Sequence, residues 1–204
     1  MAKTIDSRVA EALVLPLRGT GLRPNHITTV ALGGGVLGAL CFAHGGYHQA
    51  NLGAMLYAVS MLLDHADGEF ARATGQTSEF GHVYDRVADL MVKLATFVGM
   101  GLGLRHGPLG GVAPVLGLLS GAALIVIFRS RSELARRRGA EVGFRQPSAG
   151  AFEIEDILYL VAPITWFGGL RWFVAAAGVG APIFAALTVA QLLRVRREDA
   201  AGGA

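Results

Sequence analysis

The sequence is poor in charged residues and has almost no cysteine. Only 16% of its 204 residues are Asp, Glu, Lys or Arg, against roughly 25% in an ordinary soluble domain. The single cysteine, Cys41, excludes a disulfide framework and a metal site built from cysteines. Because 52% of the residues are hydrophobic, this shortage of charge indicates an integral membrane protein, and the length fits one domain.

The charges that are present lie in clusters between apolar runs. A net charge of +3 is compatible with nucleic-acid binding, but this clustering is typical of a membrane topology signal, so we expect no nucleic-acid partner. We expect no secretory signal peptide either, because charged residues and a proline interrupt the apolar part of the N-terminus.

Six segments approach the roughly 20 apolar residues that a membrane-spanning helix needs. They are residues 26–44, a segment from residue 51 into an acidic stretch, and residues 82–104, 110–128, 154–170 and 172–193. Asn25 is the predicted N-cap of the first. Residues 5–17 are more weakly amphipathic and predict a helix on the membrane surface. The prediction is an all-α, polytopic membrane protein with six transmembrane helices and an N-terminal amphipathic surface helix.

The positions of the Lys and Arg residues predict the orientation in the membrane. Fifteen fall on the side that holds both termini and the acidic stretch, and two fall on the opposite side. Positive residues favour the cytoplasmic side, which in a bacterium means the inner face of the inner membrane. We divide the chain into a juxtamembrane segment (1–25), a six-helix transmembrane catalytic domain (26–195) and a cytoplasmic tail (196–204).

Four aspartates lie between the second and third apolar segments. Asp64 and Asp67 are three residues apart, which places them on one face of a helix. Asp85 and Asp89 are four apart and share a face in the same way. Because the connection between the two helices is short, we expect the helices to be antiparallel neighbours whose carboxylates converge.

Converging carboxylates repel one another unless cations lie between them. Oxygen ligands without Cys or His favour Mg²⁺, Mn²⁺ or Ca²⁺ over Zn²⁺. Two divalent ions would neutralise four carboxylates, and a site with two metals suits displacement at phosphorus.

Small residues and an arginine accompany the aspartates. Gly68 and Ala71 are near the aspartate face and allow a ligand to approach the helix backbone. Arg72 is a natural partner for phosphate oxygens. Gly81 opens the third helix and allows a second close approach.

The pattern of these residues resembles the signature of a known family. Asp64-x-x-Asp67-Gly68-x-x-Ala71-Arg72, eight further residues and Gly81-x-x-x-Asp85-x-x-x-Asp89 match all eight fixed positions of the class I CDP-alcohol phosphotransferases, also called CDP-alcohol phosphatidyltransferases. A match at eight positions is far more specific than a lone glycine pattern.

The resemblance implies an enzyme of phospholipid biosynthesis. It would transfer a substituted phosphate group, for most members a phosphatidyl group, from a CDP-alcohol such as CDP-diacylglycerol to an acceptor alcohol and release CMP. The cofactor would be Mg²⁺ or Mn²⁺, as two ions. The implied roles are metal binding by Asp64, Asp67, Asp85 and Asp89, general-base catalysis by Asp89, and CDP binding by Gly68, Ala71, Arg72 and Gly81. The fold would be a six-helix bundle, usually a homodimer among membrane lipids, with its cavity open to the cytoplasm.

A cation-coupled transporter is the alternative function, because carboxylates inside a membrane protein also serve ion pathways. Transport does not need Gly68, Ala71 and Arg72 in register with the aspartates, so the enzyme is favoured.

The acceptor alcohol is left open by the sequence. Arg129 and Arg131 at the end of the fourth segment would hold a phosphorylated acceptor, or they are topology determinants only. Glu69 resembles the Asp-Gly-Glu of some members linked to inositol phosphate, or it is a residue that faces solvent. Lys93 fits no subfamily pattern.

Two glycine pairs have the spacing of close helix packing. Gly99/Gly103 and Gly117/Gly121 are GxxxG pairs, which let helix backbones approach within a bundle or across a dimer. The sequence does not choose between these two uses.

Overall fold

The computed structural model describes Pro16 and residues 20–138 and 156–202. All regular secondary structure within these residues is helical. The helices are α1 (Pro24–His44), α2 (Tyr47–Thr74), α3 (Glu79–Gly103), α4 (Val112–Arg138), α5 (Asp156–Tyr159), α6 (Val161–Trp166) and α7 (Leu170–Gly202). The predicted surface helix, apart from Pro16, lies outside the described residues.

Three of the described helices are long and apolar enough to cross a membrane, namely α1, α4 and α7. Helices α2 and α3 are also long, but the acidic motif occupies the end of α2 and the start of α3. These helices confirm the all-α membrane class. The count of six spans stays a prediction.

The predicted fifth span is not one continuous helix in the structure. Two short helices, α5 and α6, replace it and are separated at Leu160. Pro163 lies in the first turn of α6, where a missing N–H is tolerated, but proline cannot sit in the middle of a helix that continues back into α5. The turn that follows ends before Leu170, the first residue of α7. The predicted fifth span, 154–170, therefore extends one residue into α7.

Helix α1 packs between the two helices that carry the aspartates. A Cβ on Gly35 would lie 2.5 Å from Val92 of α3 and 2.8 Å from Ser60 of α2. Helices α2 and α3 contact each other only weakly, whereas α1 contacts both extensively. The predicted antiparallel neighbours α2 and α3 thus make few direct contacts with each other, because the small residues of α1 let it pass between them.

The two GxxxG pairs are used within the chain. A Cβ on Gly99 would clash with the backbone oxygen of Ala39 in α1, and one on Gly103 would clash with that of Phe42. Gly117 faces the backbone of Phe97 in the same way, so α4 packs on α3. These glycines set the helix spacing of the bundle, and they give no support for a dimer.

Replacing Gly99 by alanine is expected to destabilise the bundle by about 1–3 kcal/mol, because the new methyl group overpacks a contact with backbone. Gly33→Ala is the matched control, since a Cβ there meets nothing within 4 Å and alanine favours the helix by about 1 kcal/mol. Thermal unfolding in detergent measures both variants. Equal midpoints for the two would contradict the close packing of α3 on α1.

Ion pairs join the ends of α4 and α7. Arg137 lies 3.1 Å from Asp199, and Arg138 lies 2.8 Å from Glu198. Glu133 also pairs with Arg137, at 2.6 Å. Helix α7 thus continues well past residue 193, the predicted end of the sixth span. The ion pairs also give Arg137 and Arg138 a structural role.

Candidate active site

Three of the four aspartates converge at one place. Asp64 and Asp67 of α2 and Asp85 of α3 each offer a carboxylate oxygen, and these oxygens lie within 4.8 Å of one another. Helical spacing brings Asp64 and Asp67 to one face. Because α2 and α3 otherwise contact each other weakly, the three carboxylates meet only where the two helices approach.

Asp67 is the most deeply placed of the three, with 3% of its surface exposed. Its carboxylate accepts a hydrogen bond from the hydroxyl of Thr28, a buried residue of α1. Thr28 thereby fixes the orientation of a buried carboxylate and offsets part of its desolvation. Thr28 was not predicted as a site residue, because it lies 39 residues from Asp67 and no local pattern links it to the motif.

Asp89 lies one helical turn beyond Asp85 and pairs with a different group. Its Oδ2 accepts a hydrogen bond from the ammonium of Lys93 at 2.8 Å. Asp89 and Lys93 line a pocket together with Asp64, next to side chains of α1 and α2. The fourth aspartate is thus in the site, and its partner is a lysine to which no role was assigned from the sequence.

The predicted CDP residues of α2 lie within about one and a half helical turns after Asp67. A Cβ on Gly68 would lie 3.5 Å from the guanidinium of Arg72, and this guanidinium is 3.0 Å from Glu69. The Arg72 side chain is 64% exposed and the Glu69 side chain only 13%. The interpretation of Glu69 as a residue that faces solvent was therefore wrong. Ala71 is half-buried, and its carbonyl accepts from Gly75 at the end of α2.

Gly81 lies in the first turn of α3, whose N-cap is Ser78. The Gly81 N–H donates to Ser78 Oγ at 3.0 Å, and a Cβ on Gly81 would lie 3.2 Å from Asn25 Oδ1. Asn25 is not the N-cap of α1, because Arg23 holds that position and Pro24 is already helical. The Asn25 side chain instead reaches the start of α3, where Gly81 leaves space.

The two arginines predicted to bind the acceptor lie in the C-terminal half of α4. Arg129 is exposed, and the guanidinium of Arg131 lies 5.1 Å from the ring centroid of Phe184 in α7. Neither residue lines the pocket that Asp64 and Asp89 share.

A histidine between the site aspartates connects α2 to the short helix α5. His65 Nδ1 lies 3.2 Å from the hydroxyl of Tyr159 and 2.9 Å from the carbonyl of Met61. The ring of His65 is therefore in contact with α5 through Tyr159.

The cluster fits a hard divalent cation. Its ligand atoms are carboxylate oxygens, which suit Mg²⁺ or Mn²⁺ better than Zn²⁺. Three like charges this close are unfavourable alone and become favourable around a cation. The hydroxyl of Thr28 donates to Asp67 and orients its carboxylate, as a neighbouring donor usually does for a carboxylate that ligates a metal.

Comparison with known proteins gives consistent matches. The family model described as CDP-alcohol phosphatidyltransferase matches residues 22–190. The archaetidylinositol phosphate synthase of Pyrococcus horikoshii is 30% identical over 160 residues, which are 74% of this chain and 81% of that protein. The phosphatidylinositol phosphate synthase of Streptomyces avermitilis is 25% identical over 172 residues, covering 84% of this chain and 68% of that protein.

The fold is also similar to that of a solved structure. The phosphatidylinositol phosphate synthase of Mycobacterium tuberculosis, crystallised with manganese and citrate, superposes with a TM-score of 0.54 at 24% identity. The superposition covers 91% of this chain and 88% of the other.

Proposed function

Because this chain belongs to the CDP-alcohol phosphatidyltransferase family, we propose that its acceptor is an inositol phosphate and its donor CDP-diacylglycerol. The reaction class follows from the family: a membrane transferase of phospholipid biosynthesis moves a substituted phosphate group from a CDP-alcohol to an acceptor alcohol and releases CMP. The observation that carries the site assignment is the convergence of Asp64, Asp67 and Asp85. A cation-coupled transporter is disfavoured by this membership.

In the proposed site, Asp64, Asp67 and Asp85 hold the metal, with Asp89 beside a second ion. Bound Mg²⁺ or Mn²⁺ supplies positive charge to the donor pyrophosphate and to the departing CMP. Thr28 keeps the Asp67 carboxylate turned toward the cluster through its hydrogen bond. Gly68, Ala71, Arg72 and Gly81 bind the CDP moiety, and the exposed guanidinium of Arg72 is placed to meet phosphate oxygens.

Asp89 acts as the general base in this proposal. The acceptor hydroxyl oxygen forms a bond to the phosphorus that bears the lipid, the bond from that phosphorus to the bridging oxygen of the pyrophosphate breaks, and CMP leaves with the electron pair. The proton of the acceptor hydroxyl goes to the Asp89 carboxylate. Asp89 lines the pocket beside Asp64, which supports its position next to the reacting groups.

The inositol phosphate acceptor is supported by the relatives. The two curated relatives described above are both named as synthases of inositol phosphate lipids. Arg129 and Arg131 hold the phosphate of the acceptor in this proposal. Arg129 is exposed in the C-terminal half of α4, whereas Arg131 would have to turn away from the ring of Phe184.

The orientation and the assembly are part of the same proposal. The excess of Lys and Arg on one side supports a cytoplasmic position for the site and both termini. A homodimer is proposed from the family resemblance alone, since the GxxxG glycines are occupied by packing within the chain.

CMP release by the purified protein with Mg²⁺ and CDP-diacylglycerol tests the acceptor. Inositol 1-phosphate and inositol form a matched pair that differs only in the phosphate, and glycerol 3-phosphate tests for a different phosphorylated alcohol. We expect CMP release with inositol 1-phosphate. With inositol the rate is expected to be less than about a hundredth of that value, because the basic residues that bind the phosphate would be left unpaired. Equal rates with inositol, or preference for glycerol 3-phosphate, would show the acceptor assignment to be wrong.

A further inference from the structure

Lys93 is a buried cation in the helix that carries Asp85 and Asp89. Its side chain is 11% exposed, and it lies in α3, beyond the acidic first half of that helix. A lysine ammonium in such a place is unfavourable unless an anion compensates it. The groups that Lys93 contacts supply that compensation.

Those groups belong to the site. Lys93 Nζ lies 2.8 Å from Asp89 Oδ2 and 5.9 Å from the ring centroid of Phe128 in α4. Lys93 also lines the pocket shared by Thr28, Asp64 and Asp89. The ammonium is therefore beside the carboxylates and sheltered from solvent, where electrostatic interactions are weakly screened.

We propose that Lys93 is a positioning residue for Asp89 and a fixed positive charge of the carboxylate site, an inference that rests on the proposed function. By binding Oδ2 of Asp89, the ammonium fixes the carboxylate and leaves Oδ1 for the acceptor hydroxyl or the second ion. The same positive charge opposes metal binding. The chain thus gives up metal affinity and gains a defined orientation of its general base.

This role predicts opposite changes in two quantities when Lys93 is replaced. Lys93→Met keeps the length and apolar stem of the side chain and removes the charge. Its affinity for Mn²⁺ without substrates is expected to rise about tenfold, because a like charge leaves the site. Its kcat is expected to fall at least about tenfold, because Asp89 loses its orienting partner. A merely structural lysine would not produce this combination, since a damaged site loses both affinity and turnover.

Mn²⁺ binding is measured by electron paramagnetic resonance of the free ion, and kcat by CMP release. Lys93→Arg keeps the charge and changes its reach, so Mn²⁺ affinity is expected within about threefold of wild type while kcat falls. This variant also provides the test if Lys93→Met does not fold. Arg105→Met is the matched control for loss of a cation, since Arg105 bonds to carbonyls of Ala43 and Leu102 just beyond α3, and it is expected to leave Mn²⁺ affinity unchanged.

The outcomes separate this inference from the proposed function. If the wild-type protein binds Mn²⁺ and Asp67→Asn binds it more weakly, the metal site is supported. If the wild-type protein binds no Mn²⁺, the proposed site is wrong. If wild type binds Mn²⁺ but Lys93→Met binds it equally or more weakly, the proposed function stands and the role of Lys93 is overturned. A tenfold change of Mn²⁺ affinity in Lys93→Arg would overturn it as well.

Discussion

In the Asp67→Asn variant, CMP release is expected to fall by about a thousandfold, because the loss of a metal ligand removes several kcal/mol of charge stabilisation from the transition state. Asp67 is the most buried carboxylate of the cluster, so water cannot easily take its place. Mn²⁺ affinity is expected to fall with it. The measurements are CMP release with saturating donor and acceptor and Mn²⁺ binding without substrates.

Two further variants serve as comparisons for the loss of activity in Asp67→Asn. Thr28→Val removes the hydroxyl that donates to Asp67 and keeps the ligand itself, so a loss of about 10- to 100-fold is expected. Glu79→Gln makes the same carboxylate-to-amide change at an exposed position in the first turn of α3 and is expected to retain activity. Full activity in Asp67→Asn, or an equal loss in Glu79→Gln, would contradict the assignment of the metal site.

The convergence of the aspartates was predictable because its signals are local. The three-residue spacing of Asp64 and Asp67 defines a helix face, and a connection of four residues, 75–78, brings the start of α3 back to the end of α2. The pair of Asp89 and Lys93 also has a local signal, the i, i+4 spacing of an ion pair on a helix. Lys93 was compared only with subfamily patterns, so its ion pair with Asp89 was not predicted.

The position of α1 had no such signal. Thr28 meets Asp67, and Gly35 admits Val92 and Ser60, only because α1 passes between α2 and α3. This arrangement depends on packing between residues far apart in the chain, which hydrophobic periodicity does not encode. The prediction of a continuous fifth span was wrong for a related reason. Its apolar composition predicts a full crossing, whereas Pro163 divides the segment near Leu160.

The use of the GxxxG glycines likewise needed the structure. Spacing alone shows that another backbone approaches Gly99 or Gly117, and the contacts with Ala39 and Phe97 identify which one. A dimer interface, if it forms, must use other residues of the exposed surface.

The Asp89→Asn variant is expected to lose about 100- to 10,000-fold in kcat, the usual contribution of a general base. An asparagine cannot take the proton of the acceptor hydroxyl. Mn²⁺ affinity should change less than in Asp67→Asn, because Asp64, Asp67 and Asp85 form the compact cluster without Asp89. The different ratio of the two losses distinguishes a base from a metal ligand.

A loss of folding is the competing explanation for Asp89→Asn, because the change leaves the buried ammonium of Lys93 without its carboxylate, and breaking a buried pair destabilises a protein strongly. The double variant Asp89→Asn/Lys93→Met removes both charges and is expected to recover the unfolding midpoint. If Asp89 is the base, CMP release stays as low as in the single variant, because no group replaces it. Recovery of activity together with stability would show that Asp89 serves only to neutralise Lys93, and the proton would then have to leave by another route.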